Sequence, residues 1–251
     1  MQVIVNSLLV NYRIIGKEKE TITMLHGWGD SLSTFDRIAT TLSNKYTVIL
    51  LDLPGFGGTQ PPSQPWGLDE YAKFVADFSQ KVGCQNLRAV VGHSNGGAIA
   101  LRGLGSGVIR ADKLVLLASA GIRNQYKGRK RGLRLAAKTA KLMTKPLPKQ
   151  IQARLKKKAY GAIGSDLFVA EHLQDTFKRI ITDDTQADAA KVRIPCLLIY
   201  GSEDTATPPE YGEIYHKAIG GSNLHIISGA GHFLHHTHTE QVSKLVEEFL
   251  K

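Results

Sequence analysis

The sequence predicts an α/β fold: a mostly parallel eight-stranded sheet flanked by helices, with a helical segment inserted in it. Three observations predict it. Short continuous apolar runs such as Val48–Leu53 and Ala89–Gly92 alternate with helix-period segments, the pattern of strands covered on both faces. Small or polar residues follow several of these runs at once, where parallel sheets place their ligand sites. A length of 251 residues, 42% hydrophobic and 22% charged, suits one α/β domain or two small ones. That balance excludes disorder and collagen-like repeats.

Each element follows in order. Val3–Val5 and Leu8–Ile14 read as a hairpin turning at Asn6-Ser7. Thr21–Leu25 is a short apolar strand, and Val48–Leu53 another that ends in Pro54-Gly55. Leu68–Val82 carries helix-period apolar residues. Ala89–Gly92 is a buried strand that runs straight into a helical stretch, Gly96–Leu104. Lys113–Ala118, Cys196–Tyr200 and Leu224–Ile227 complete the strands, with helices over Glu210–Ala218 and Glu240–Leu250. Residues 1–120 and 187–251 therefore form the core, and 121–186 an inserted cap of several helices. In that insert Lys127, Lys130, Arg131, Arg134, Lys138, Lys141 and Lys145 recur at helical spacing along one face. Leu133, Ala136, Ala137, Ala140 and Met143 supply much of the other face, and Pro146 and Pro148 end the helix. A second helix covers about Lys149–Tyr160, and a third runs from an N-cap at Ser165 to about Ile181.

Charge is distributed unevenly. The chain holds 32 Lys and Arg against 22 Asp and Glu, a net charge of +10. Fourteen of those cations lie between Arg123 and Lys158 with no acidic residue among them, which leaves eighteen cations against twenty-two anions elsewhere. Basicity is thus a property of one segment. No aromatic interleaving accompanies it, so nucleic acid is not the expected partner. No apolar run approaches the roughly 18 residues of a membrane span. The alternating start, MQVIVNSLLV, reads as strand rather than signal peptide. With only Cys84 and Cys196, a disulfide framework is not expected, and a reducing cytoplasm is the default location.

The strongest chemical signal is Gly92-His93-Ser94-Asn95-Gly96, a G-x-S-x-G sequence placed between a strand and a helix. A sharp turn there presents the Ser94 hydroxyl at a helix N-terminus, where backbone N–H groups favour negative charge. A serine nucleophile needs a base, and the base needs a carboxylate to orient it. Gly201-Ser202-Glu203-Asp204 follows one later strand and Gly231-His232 follows the next, in the order acid then base. Asp204 is preferred to Glu203 because it lies deeper in its loop. The N–H groups of Trp28, within His26-Gly27-Trp28-Gly29, and of Asn95 are the natural donors to an oxyanion.

These motifs, with Asp52-Leu53-Pro54-Gly55-Phe56-Gly57 and Gly231-His232-Phe233, resemble the α/β-hydrolase superfamily in its small serine carboxylesterase-like branch with a helical cap. The resemblance covers nearly the whole chain. It implies Ser94 as nucleophile, Asp204 as acid and His232 as base, with Trp28 and Asn95 as oxyanion donors. A serine at position 94 separates the chain from epoxide hydrolases and haloalkane dehalogenases, which use aspartate there. The expected reaction is cleavage of a carboxylic ester through an acyl-enzyme, with no cofactor. The substrate is a small-molecule acyl ester whose binding residues the sequence does not identify. An acidic carrier protein or an anionic surface would suit the basic insert. Esterases that demethylate a pimeloyl acyl-carrier-protein ester share two of the motifs. C–C bond hydrolases and triad-bearing small-molecule receptors are the alternatives.

His232, His235, His236 and His238 also form a cluster, with His232 and His236 at the spacing of helical zinc ligands. A catalytic base followed by a polar loop accounts for it, so no metal is expected. Asp52–Gly57 is expected to be a structural turn beside the site. Trp66, Phe35 and the two cysteines are expected to pack.

Overall fold

A computed structural model describes residues 1–123 and 170–251. The basic helix, the second insert helix and the Ser165 cap lie outside the described residues.

The sheet has eight strands: β1 (Gln2–Val5), β2 (Leu8–Ile15), β3 (Thr21–Leu25), β4 (Thr47–Leu51), β5 (Leu87–His93), β6 (Ala111–Leu117), β7 (Cys196–Gly201) and β8 (Asn223–Ile227). Their spatial order is β1-β2-β4-β3-β5-β6-β7-β8. β2 runs antiparallel to both β1 and β4, and all other pairs are parallel. The β1–β2 turn is tight because Asn6 and Ser7 both take positive φ, 49° and 64°, and Val5 pairs with Leu8. Two positive φ values match the right-handed strand twist, which is why a two-residue hairpin forms here.

The main helices are α1 (Asp36–Leu42), α2 (Leu68–Lys81), α3 (Asn95–Ser106), α4 (Gln174–Ile180), α5 (Gln186–Ala189), α6 (Pro209–Ala218), α7 (Leu234–Thr237) and α8 (Thr239–Leu250). Cores form on both faces of the sheet. One gathers Tyr71, Phe74 and Phe78 of α2, Ile99 and Leu101 of α3, and Tyr211 and Tyr215 of α6. The other gathers Ile38 and Leu42 of α1 with Val242, Val246 and Leu250 of α8. That last trio recurs every four residues, so one helix stripe faces the sheet. Burying each such side chain contributes about 1.5–3 kcal/mol.

Two expectations need correction. Cover on both faces holds for the central strands, but β8 at the sheet edge is largely exposed, with Ile226 43% accessible. An edge strand has one neighbour and fewer helices over it. The third insert helix is not continuous in its described part. A short 3₁₀ turn, Glu171–Leu173, precedes α4, and α5 follows after a loop. The helix α1 was not foreseen, since its seven residues are too few to establish a period.

Candidate active site

β5 ends and α3 begins within one residue. Ser94, between them, takes φ 51° and ψ −117°. A non-glycine residue held there stores on the order of 1–3 kcal/mol. The surroundings fix it: the Ser94 carbonyl accepts from the N–H groups of Gly97, Ala98 and Ala120 at 3.0–3.2 Å. The flanking glycines are required by space. A Cβ at Gly92 would lie 2.5 Å from the Gly97 Cα, and one at Gly96 would lie 2.1 Å from the Leu25 carbonyl oxygen. Gly96→Ala should therefore cost on the order of 3 kcal/mol, because backbone on both sides leaves no room to relax. Urea unfolding would read it, and a loss under 1 kcal/mol would show that the elbow yields.

The structure brings the three predicted residues together. Ser94 Oγ lies 3.0 Å from His232 Nε2, and His232 Nδ1 lies 2.8 Å from Asp204 Oδ2. Asp204 follows β7 and His232 follows β8, and the two loops are bonded to each other through Glu203 N–H to the Ala230 carbonyl at 2.9 Å. Glu203 is exposed, so Asp204 is the acid that reaches the imidazole. Its side chain is fully buried, against 20% exposure for His232. Asp204 Oδ1 accepts from the backbone N–H groups of Ala206 and Thr207 at 2.8 and 2.9 Å. Burial pushes the Asp204 carboxyl up, but hydrogen bonds from His232 and Thr207 outweigh it and hold the group below the usual range. An ionised Asp204 accepts the Nδ1–H of His232, which leaves the Nε2 lone pair facing the serine hydroxyl.

Trp28 lies in the loop after β3. Gly27 brings that loop against the elbow: a Cβ there would lie 3.0 Å from His93 Nδ1 and 3.2 Å from Ser94 Cβ. Among the described residues the Trp28 N–H makes no backbone hydrogen bond. Asn95 is the first residue of α3, whose leading N–H groups have no partner within the helix. Among the described residues neither N–H has a backbone partner, so both can donate to an anion.

His93 was legible as a member of the elbow motif, whereas Thr207 and Thr34 were not legible from the sequence. Thr207 Oγ1 lies 2.7 Å from Asp204 Oδ2, 3.1 Å from His232 Nδ1 and 2.9 Å from the Ala118 carbonyl. Its offset of three from an acid in a loop was the available signal. His93 is buried and its Nε2 lies 3.0 Å from the His232 carbonyl, with the two rings 4.8 Å apart. Burial, reinforced by the neighbouring His235 and His232, holds His93 well below the ordinary histidine value. It is therefore neutral and donates its Nε2–H to that carbonyl. Thr34 bonds both His235 and His236.

Asp52–Gly57 is a structural turn, as expected. Asp52 accepts from Leu32 N–H, Gly58 N–H and Asn11 Nδ2 at 2.7–2.8 Å. His26 ties this turn to the Trp28 loop. Its Nε2 accepts from Leu53 N–H at 2.9 Å, so its proton sits on Nδ1, 2.7 Å from the Gly27 carbonyl. Burial lowers the His26 pKa despite the opposing Gly27 carbonyl and the carboxylates of Asp52 and Asp30. A second proton would break the Leu53 bond. The folded value is depressed, so this contribution is complete above the unfolded value of about 6.5 and is lost as the pH falls below it. Stability should fall by up to about 1.4 kcal/mol per pH unit on this account. Urea unfolding at pH 7.5 and 5.0 should show a smaller pH effect in His26→Asn than in the parent.

The described end of the insert rests on the site. Phe177 of α4 packs 5.0 Å from Trp28, which also meets Phe56 at 4.9 Å. His172 Nε2 lies 2.9 Å from the Gly55 carbonyl. Phe35 and Trp66 pack as expected, Phe35 fully buried against His235 and Trp66 against Tyr71 and Phe74. Cys84 and Cys196 are free, and burial pushes the Cys196 thiol up to about 12. No helix among the described residues is long and apolar enough to cross a membrane.

Comparison with known proteins places the fold. An uncharacterized protein of Mycobacterium tuberculosis is 27% identical over 95% of this chain and 77% of its own length. A pimeloyl-[acyl-carrier protein] methyl ester esterase of Neisseria meningitidis is 26% identical over 92% of this chain and 93% of its own. Among solved structures, the enol-lactonase from Burkholderia xenovorans LB400 superposes with a TM-score of 0.78 over 100% of this chain and 99% of that one, at 20% identity, a likeness of fold. The model of the alpha/beta hydrolase family matches residues 24–245, from β3 into α8, and the chain belongs to that family.

Proposed function

We propose that the protein is a serine hydrolase that cleaves a carboxylic ester through an acyl-enzyme on Ser94. The observation that carries this reading is the hydrogen-bonded chain Ser94–His232–Asp204, at 3.0 and 2.8 Å. Ser94 Oγ attacks the acyl carbon while its proton passes to His232 Nε2. The carbonyl oxygen becomes an oxyanion between the N–H groups of Trp28 and Asn95. As the intermediate collapses, the C–O bond to the alcohol breaks and His232 returns the proton to the leaving oxygen. Water, deprotonated by the same imidazole, then releases the acid and restores Ser94. Asp204 stays ionised throughout and holds the imidazole in the productive tautomer. No step calls for a cofactor. The insert serves as a cap, a role supported by the contacts of His172 and Phe177 with the Gly55 turn and Trp28.

A p-nitrophenyl ester series from C2 to C12 tests this reading. Hydrolysis by the parent and none by Ser94→Ala is the expected result, and the chain-length profile measures the space beneath the cap. A folded protein that hydrolyses no ester in the series would overturn it for simple esters.

A second reading has an observation of its own. The fourteen cations between Arg123 and Lys158 would suit an acidic carrier protein, and a relative bears the name of an acyl-carrier-protein methyl ester esterase. On that reading, a methyl ester borne on an acyl carrier protein is hydrolysed with a lower KM than the free methyl ester, and the advantage shrinks as salt rises. Equal KM at low and high salt would leave the basic segment without a carrier role.

A further inference from the structure

Asp30, His235 and His236 each place a ligand atom within 4.8 Å of the other two. They come from two loops that matter to the site. Asp30 lies two residues beyond Trp28, and His235 three beyond His232. Neither group is satisfied as the chain stands. Asp30 Oδ1 accepts from Ser31 N–H at 2.8 Å, but its Oδ2 is buried and has no hydrogen-bond partner among the described residues. His235 is 1% exposed, and its Nδ1 is likewise without a partner among them.

Thr34 cannot resolve this. Its Oγ1 lies 2.8 Å from His235 Nε2 and 2.9 Å from His236 Nε2. A hydroxyl has one proton, so at most one imidazole receives it, and the other must donate. Whichever tautomer His235 adopts, Nδ1 stays unpaired in a buried place, where an unmet polar group costs about 1–3 kcal/mol. A cation takes lone pairs rather than protons. It can satisfy a carboxylate oxygen and an imidazole nitrogen together, while the second nitrogen of a ligating histidine keeps an outer partner of the kind Thr34 provides.

We propose that Asp30, His235 and His236 form a binding site for a zinc-class divalent cation that clamps the Trp28 loop to the His232 loop. Two imidazoles and one carboxylate favour such ions over magnesium or calcium. Three protein donors leave a fourth position for water. His236 is exposed and gives the ion a way in. The role is positional. The His235 ring sits 4.3 Å from that of His93, whose Nε2 holds the His232 carbonyl. A fixed His235 therefore steadies the backbone of the base without touching substrate.

The test uses the full chain stripped with a chelator and titrated with Zn²⁺ by calorimetry. Co²⁺ absorption in the visible serves as a second readout, and neither depends on ester hydrolysis. Binding of roughly one equivalent, tetrahedral Co²⁺ bands and a higher Tm with Zn²⁺ are expected. His236→Ala and Asp30→Asn should each weaken Zn²⁺ binding about tenfold or more, with the metal-free Tm unchanged. His238→Ala, on the same loop, should bind as the parent does. Zn²⁺ binding equal in the parent and the Asp30→Asn/His236→Ala double variant would overturn the proposal. So would a loss on His238→Ala that His236→Ala does not reproduce.

Discussion

Ser94→Ala is expected to lower kcat by about 10⁶-fold, the scale on which removing the nucleophile acts in serine hydrolases of this chemistry. The loss belongs to chemistry rather than folding. The elbow at Ser94 is held by its carbonyl, which accepts from Gly97, Ala98 and Ala120, and by space reserved at Gly92 and Gly96. None of these contacts uses Oγ, whose one hydrogen bond among the described residues is the 3.0 Å contact with His232 Nε2. The variant should therefore keep its Tm, and it should bind esters with little change in affinity. A fluorophosphonate probe gives an independent reading. It should add its mass to the parent at Ser94 and leave the variant unlabelled. Turnover within tenfold of the parent, or labelling at another serine, would remove Ser94 from the mechanism.

The arrangement behind that expectation was legible to different depths. The elbow was readable because its chemistry imposes local sequence: only glycine fits at positions 92 and 96, so the residue types announce the backbone. Asp204 and His232 were readable because parallel strands put their polar residues at one end, and both follow short apolar runs. Register does the rest. Gly201 pairs with Ile227, which sets the two loops side by side. His93 was readable as part of the elbow, though not the carbonyl it holds, and Thr207 and Thr34 could not be found that way. Their roles depend on distances across loops from residues 25 to 202 positions away, and no periodicity encodes those. The cluster of histidines shows the limit plainly. His232 and His236 share a helical spacing that points to a common ligand, yet the fold turns them apart. One faces Asp204, and the other joins His235 at Thr34. The chain between them is a short helix, α7, that begins only at Leu234.

Asp204→Asn is expected to lower kcat by about 10⁴-fold, and the structure says which way the amide will face. Two backbone N–H groups, from Ala206 and Thr207, point at the Oδ1 position. A carbonyl oxygen must occupy that place, so the amide nitrogen takes the position of Oδ2, 2.8 Å from His232 Nδ1. It then donates to Nδ1 and forces the imidazole proton onto Nε2. That nitrogen can no longer accept the serine proton, although every heavy atom stays where it was. KM should change little, because the defect lies in proton transfer and not in binding. The pH dependence of stability should change with it. Asp204 has a depressed folded pKa, so its contribution is present above the unfolded carboxylate value of about 3.9 and is lost as the pH falls through the folded value. The amide cannot titrate, so the variant should lose less stability than the parent between pH 5 and pH 3. Glu203→Gln, next door but exposed, should stay within about twofold of the parent in kcat. Near-parent turnover in Asp204→Asn would mean that another group orients His232, and Thr207, 3.1 Å from the same nitrogen, would be the residue to replace next.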